Sequence, residues 1–239
     1  MTAPTGSTSG APTRQGGPRR PRPQIVLEVL ATSWVSPHLV RVRLGGDGMA
    51  DFTNNEFTDR YVKIWFAKPE LDLAPPYDVD ALRERLDPAD LPVTRTYTVR
   101  RVDPDHNWLE IDFVVHGDEG LAGPWARDAK RGDLLAFSGP GGAYRPDPEV
   151  DWHLLVGDES AQPAVTAAVE ALPAGAVGVA VLEVGGPEEE VVISAPNGVH
   201  VQWVHRGGSL PGTTSVLADA VAALPWPDGR VQVFAHGER

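Results

Sequence analysis

The feature that most limits how this chain can fold is a change of texture near residue 150. Ahead of it, short runs alternate apolar and polar residues between Gly- and Pro-rich turns, as where Val40, Val42 and Leu44 interleave with Arg41 and Arg43. That period of two belongs to antiparallel strands with one covered face. Beyond it, nearly continuous apolar strands (152–156, 176–184, 199–206 and 230–237) are separated by helical stretches. One starts near Ala161 with Pro163 in its first turn, and another covers 215–224. Apolar strands alternating with helices imply a mostly parallel sheet covered on both faces. The expected organisation is six or so antiparallel strands over 24–148, then an α/β unit over 149–239.

In the first part, strands are expected at 25–31, 38–44, 61–66, 95–100, 108–115 and 134–140. On the third of these, Tyr61, Lys63 and Trp65 share one face, and Val62, Ile64 and Phe66 the other. Residues 70–94 are rich in Pro and Asp and read as a loop with at most one short helical turn, at 79–86.

Composition narrows the function classes. The chain has 239 residues, 41% apolar and 23% charged, enough to bury a real core. Residues 1–23 are Gly, Pro, Ser, Thr and Arg with almost nothing to bury, so a disordered leader is expected; it lacks the apolar core of a signal peptide. No apolar run approaches the ~20 residues of a membrane helix. The absence of cysteine rules out disulfides, thiolate-ligated iron–sulfur clusters and zinc–thiolate sites. A cytoplasmic monomer is expected. Net charge is −12, and the leader's four arginines leave −16 on residues 24–239. Such a surface repels nucleic acid and anionic membranes, so any site for an anionic substrate must be a local basic exception.

The densest chemistry lies in Arg95-Thr96-Tyr97-Thr98-Val99-Arg100. A flavin dinucleotide needs a flat apolar partner for its ring, a small hydrogen-bonding group at the ring edge and cations for its pyrophosphate. Tyr97 can stack, Thr98 can bond the edge, and Arg100 can pair with phosphate in bidentate fashion. Strand alternation puts Tyr97 and Thr98 on opposite faces, which suits a ring lying past the strand's end. An edge strand with solvated arginines is the other reading of the same residues.

Gly120-Leu121-Ala122-Gly123-Pro124-Trp125-Ala126-Arg127 opens a short helix running to about Lys130, with proline in its first turn. Its start can hold a phosphate, or the helix can be a plain crossover. In the α/β unit, ligands of open sheets sit at the carboxyl ends of strands, here Gly157 to Ser160 and His236 to Glu238. No G-x-G-x-x-G follows the first of those strands. Glu183 ends the second, where an acid favours a ribose 2′-OH, while Arg206 could serve a 2′-phosphate, so NADH and NADPH both stay open. The histidines show no metal-ligand spacing, and no resident metal is expected. Asp158 and Glu159 could mimic a carboxylate pair, but a helix-start cap explains them more simply.

An all-β domain with R-x-Y-T-x-R, followed by an α/β domain opening G-D-E-S-A-x-P-A, resembles the ferredoxin–NADP reductase superfamily. More closely it resembles the siderophore-interacting, FAD-binding ferric reductase family. The resemblance rests on residues 95–100, on DFVVHG (112–117), on the G-x-A-x-x-W-A spacing of Gly120 to Ala126, and on 132–144, 151–165, 203–206 and 236–238. It implies a ferredoxin reductase-like fold, an antiparallel FAD-binding β-barrel followed by a mostly parallel α/β nucleotide-binding domain. It further implies FAD on the barrel, NADPH or NADH at the α/β domain, and a ferric siderophore near the flavin. Carried over residue by residue, Arg95, Tyr97, Thr98 and Arg100 would hold the ring and pyrophosphate, with Tyr97 and Thr98 nearest the chemistry. His116 and Gly117 would lie beside the cofactor, and Ala122, Gly123, Trp125 and Ala126 at the phosphate-binding helix start. Gly157, Asp158, Glu159 and Ser160 would face the nicotinamide nucleotide.

Lys63, on a strand expected beside the flavin strand, is the candidate cation for an anionic ferric chelate; an ordinary solvated lysine is the alternative. The chain departs from the family pattern at Leu121 and Gln162, where proline and leucine are more usual. It also stops at Arg239, short of a further helix and aromatic-ended tail, so a truncated chain or an incomplete nicotinamide side is expected. The implied activity is ferric-siderophore reduction, electrons passing from NAD(P)H through flavin to Fe(III). The alternatives are a general flavin reductase or electron feeder, and a flavin- or siderophore-binding protein with little turnover.

Overall fold

A computed structural model describes residues 23–118 and 120–237. Six antiparallel strands close a barrel in the order β1-β2-β5-β4-β3-β6. They are β1 (Ile25–Ser36), β2 (Leu39–Gly45), β3 (Tyr61–Phe66), β4 (Val93–Asp103), β5 (Trp108–Val114) and β6 (Leu134–Gly141). The loop ahead of β4 holds one short helix, α1 (Val79–Arg83), capped by the Asp78 carboxylate accepting from the Ala81 N–H at 3.0 Å. A second short helix, α2 (Ala122–Asp128), joins β5 to β6, two residues shorter at each end than expected.

Alternation sets what enters the barrel. On β2, Val40, Val42 and Leu44 are buried, while Arg41 and Arg43 face outward. The β2–β5 register sets Arg41 opposite Asp112 and Arg43 opposite Glu110, giving cross-strand ion pairs at 2.7 Å. The hydrogen bond from Arg41 to Asp112 raises the arginine's pKa above its ordinary value, against the opposing effect of burial. Val62, Ile64, Phe66, Val99, Leu109, Ile111, Phe113 and Phe137 complete one continuous core.

The second unit is a four-stranded parallel sheet in the order β10-β7-β8-β9. Its elements are β7 (Trp152–Gly157), α3 (Gln162–Glu170), β8 (Val177–Val184), β9 (Gly198–His205), α4 (Val216–Ala222) and β10 (Val231–His236). All but the last residue of α3 are buried, and its Ala and Val side chains fill a second core with Leu155, Ala180, Leu182 and Phe234. Tyr144 belongs to that second core, its ring 4.4 Å from Phe234. The second unit's packing thus begins ahead of the expected boundary at 148/149. The expected leader lies outside the described residues except for Pro23. Among the described residues no helix is long and apolar enough to cross a membrane.

Candidate functional site

The flavin-type stretch lies wholly within β4, whose two faces have different fates. Tyr97 pairs with Val62 of β3, and its ring packs 4.5 Å from Phe113. Phe113 lies 5.6 Å from Trp125 of α2, and Trp125 lies 5.9 Å from Phe66. This aromatic chain brings β4 against the β5–α2 connection, so two motifs separated by about twenty residues in sequence form one surface. Ala122 and Ala126 are buried beneath it. The start of α2 has no side-chain cap, and Gly117 (φ 60°) and Gly120 (φ 77°) turn the loop with nothing within 4 Å of an added Cβ. Positive φ suits glycine, and the open space lets a ligand approach the backbone closely.

On the other face, Thr98 pairs with Tyr61, Thr96 with Lys63 and Thr94 with Trp65. Tyr61 is 39% exposed, with its ring over Gly141. In the sequence, Tyr61 stands out only as part of a strand pattern. An aromatic one strand away from Thr98, facing a Gly-Pro-Gly-Gly turn that leaves its ring room, was the signal available. Lys63 is exposed and has no hydrogen-bond or ion-pair partner among the described residues.

The two arginines part company. Arg95 is exposed, and its guanidinium donates only to the Thr94 carbonyl, at 2.9 Å. Arg100, expected at the pyrophosphate, is 7% exposed and donates to Glu170 of α3 at 2.7 Å. Its Nη2 partner is therefore a carboxylate of the second unit, while Arg95 has no acidic partner among the described residues. A cleft of about 350 Å³ opens beside this pair, between the barrel and α3, with Arg101 and Thr166 on its walls.

At the carboxyl end of β7, Gly157 is buried so close to α3 that a Cβ would meet Val165 Cγ2 at 2.8 Å. Asp158 accepts from Ser160 Oγ at 2.6 Å and from the Ala161 N–H at 3.0 Å, closing the turn ahead of α3, whose N-terminus has no side-chain cap. Glu159 turns the other way. It accepts from Arg206 Nη2 at 2.5 Å, with the two side chains 9% and 7% exposed. Arg206 also lies 4.0 Å from Glu183, whose carboxyl is pushed up by burial against the pull of the guanidinium. Glu189 is a further buried acid of this cluster. Burial works to raise its pKa, but hydrogen bonds from His38 (2.6 Å) and the Gly185 N–H (2.9 Å) hold it below the usual range.

His38 comes from the β1–β2 turn of the barrel, and its ring lies 6.1 Å from that of His116. His116 and Gly117 thus sit near the contact between the two units. His38, Glu159 and Glu189 bring one ligand atom each within 4.8 Å of one another, a grouping that sequence spacing could not reveal. A cation there would have to displace the existing contacts of His38 and Arg206. Of the expected HGE segment, His236 ends β10, and Glu238 lies outside the described residues.

Comparison with known proteins agrees with this layout. Residues 28–144 match the siderophore-interacting FAD-binding domain family, and residues 150–239 match the siderophore-interacting protein family. The chain is 35% identical over 220 residues to the ferric vibriobactin reductase ViuB of Vibrio cholerae, covering 89% of this chain and 78% of that protein. It is 33% identical over 148 residues to an Escherichia coli NADPH-dependent ferric-chelate reductase, covering 61% of this chain and 56% of that one. Among solved structures, a siderophore utilization protein from T. fusca superposes with a TM-score of 0.78 at 39% identity, over 90% of this chain and 82% of that one. More distant matches, such as the FAD-free ferredoxin reductase of carbazole 1,9a-dioxygenase (TM-score 0.57, 16% identity), share the fold.

Proposed function

The chain belongs to the siderophore-interacting, FAD-binding family, and on that premise we propose that it is a flavin-dependent ferric-siderophore reductase fed by a nicotinamide nucleotide. The observation that carries the reading is the surface shared by β4 and the β5–α2 connection. It presents an aromatic ring (Tyr97), a guanidinium with no acidic partner among the described residues (Arg95) and an open, glycine-turned backbone, with the half-buried hydroxyl of Thr98 on the opposite face of the same strand. Those groups fit FAD: Arg95 for the phosphates, Tyr97 for the ring face, Thr98 for the ring edge. FAD held by these residues would supply the redox chemistry between a two-electron nicotinamide donor and one-electron ferric iron.

The chain's own part is to bind and orient. Lys63 and Tyr61 share the face of Thr98, and their cation and aromatic ring suit an anionic, ring-bearing chelate. Lys63 is the local basic exception that a surface of −12 requires. On the α/β side, the carboxyl ends of β7, β8 and β9 receive the nucleotide, as in other open sheets. With no cysteine in the chain, no protein thiol can store or divert electrons. We place the reaction in the cytoplasm, where reduced nucleotide is available.

The test is FAD uptake. Titrating the flavin-free protein with FAD should quench flavin fluorescence to a one-to-one end point, and FMN should bind more weakly for want of a second phosphate contact. Protein that takes up no FAD would end the reading.

A further inference from the structure

NADH and NADPH are both possible donors, and the carboxyl edge of the parallel sheet bears on the choice between them. Residues 149–239 contain three arginines and no lysine. Arg230 precedes β10, so it lies at the amino end of the sheet, where its guanidinium donates to the Glu149 carbonyl. Arg239 lies outside the described residues. Arg206, just past the end of β9, is thus the one described arginine of this unit at the edge where nucleotides bind.

Arg206 is where a 2′-phosphate on the adenosine ribose would look for a partner. It is already answered by Glu159 at 2.5 Å and Glu183 at 4.0 Å. Its Nε has no partner, but it is closed to solvent and out of a ligand's reach. The neighbouring His205 is answered in turn, its Nε2 lying 2.8 Å from Glu190. Glu189 adds one more buried carboxylate within the same cluster, held by His38. Acids therefore outnumber bases here: Glu159, Glu183, Glu189 and Glu190 against Arg206, with His205 and His38 charged only when protonated.

We infer that this edge selects NADH over NADPH, with Glu159 and Glu190 as the specificity-determining residues because they occupy the basic groups that a 2′-phosphate would need. A 2′-phosphate brings up to two negative charges. Here it would meet carboxylates and no unpaired base of the β9 end, and like charges brought together cost several kcal/mol of affinity in the general case. A ribose 2′-OH carries no charge and can donate to a carboxylate, so it suits an acid-rich edge. The inference rests on the nucleotide-fed reading and sharpens it. It also sets this chain apart from its NADPH-dependent relative of Escherichia coli.

The test is equilibrium binding of NAD⁺ and NADP⁺ to the FAD-loaded protein, measured calorimetrically without turnover. NAD⁺ should bind at least about ten-fold more tightly. The double variant Glu159→Gln/Glu190→Gln removes the carboxylates nearest Arg206 and His205, and should move the ratio about ten-fold toward NADP⁺ while FAD content stays unchanged. Because Glu159 is buried, the single variant Glu190→Gln, at a half-exposed site, is run beside it and should move the ratio in the same direction. NADP⁺ binding as tightly as NAD⁺ to the parent protein would overturn the inference, and so would an unchanged ratio in correctly folded variants. If FAD is held but neither nucleotide binds, the nucleotide-fed reading itself fails and takes the inference with it.

Discussion

The barrel face around β4 and the carboxyl edge of the parallel sheet treat their charges in opposite ways. On the barrel, Arg95 donates only to a neighbouring carbonyl, and Lys63 has no partner among the described residues. On the sheet edge, Arg206 and His205 are both matched to carboxylates, and the cluster is mostly buried. Uncommitted cations wait for a polyanion, whereas matched ones build structure. Under the proposed function, that difference would put phosphate and chelate at the barrel and a less charged ligand at the sheet edge. Arg100 shows why residue type alone does not decide this. It stands five residues from Arg95 in the same strand, yet it pairs with Glu170 of α3.

The largest expected effect tests that division from the structural side. Glu170→Ala strands the Arg100 guanidinium at 7% exposure, and breaking a buried pair costs about 3–5 kcal/mol. The FAD-free variant should unfold at clearly lower denaturant concentration than the parent. A transition at the parent's midpoint would mean that the pair does not hold the two units together.

Arg95→Ala should do the reverse. An exposed arginine contributes little to stability, so unfolding should stay within about 0.5 kcal/mol of the parent. FAD affinity should drop by about 1.5–3 kcal/mol, the usual loss for a hydrogen bond to a charged group, or about ten- to hundred-fold. If Arg100→Ala weakened FAD and Arg95→Ala did not, the contrast between the two arginines would be inverted.

The smallest effect concerns pH. His153 is 2% exposed, its Nδ1 has no partner, and burial lowers its pKa from 6.5. A histidine kept neutral by the fold favours the folded state above the unfolded pKa. That contribution is lost as pH falls through about 6.5 toward the lowered folded value, because the unfolded chain takes the proton first. Stability should therefore decline on the acid side of 6.5, and His153→Phe should flatten that part of the profile. An unchanged slope would show that His153 does not titrate with unfolding.

Much of the fold was legible because it is written in short-range pattern. The alternation of Val40, Val42 and Leu44 with Arg41 and Arg43 gave β2 its inner and outer faces, and Pro163 marked the start of α3. Closure of the barrel was not legible, since β6 must pair with both β1 and β3 across long stretches of chain. The site divides in the same way. That Tyr97 and Thr98 face opposite sides of one strand could be read from its alternation. The partners of the charged groups could not, because Arg100 meets Glu170 seventy residues on, Arg206 meets Glu159 forty-seven residues back, and His38 reaches Glu189 151 residues away. An arginine's type announces a charge; only the fold says whether that charge is already spent. The two-residue mismatch at each end of α2 is of a smaller kind, where helix propensity continues past the residues that actually close hydrogen bonds.

The most direct test of the account is the electron balance of the FAD-loaded protein without oxygen. A nicotinamide nucleotide releases two electrons and Fe(III) accepts one, so each NADH consumed should yield two Fe(II), captured by a ferrous chelator, with a ferric siderophore as acceptor. The rate should follow protein concentration and should not need added free flavin, because the proposed agent is a protein-bound flavin. Iron reduction that rises with free flavin at fixed protein would contradict the account and make the protein a flavin reductase. Tight binding of the ferric siderophore with no Fe(II) formed would contradict it in the other direction, leaving a binding protein.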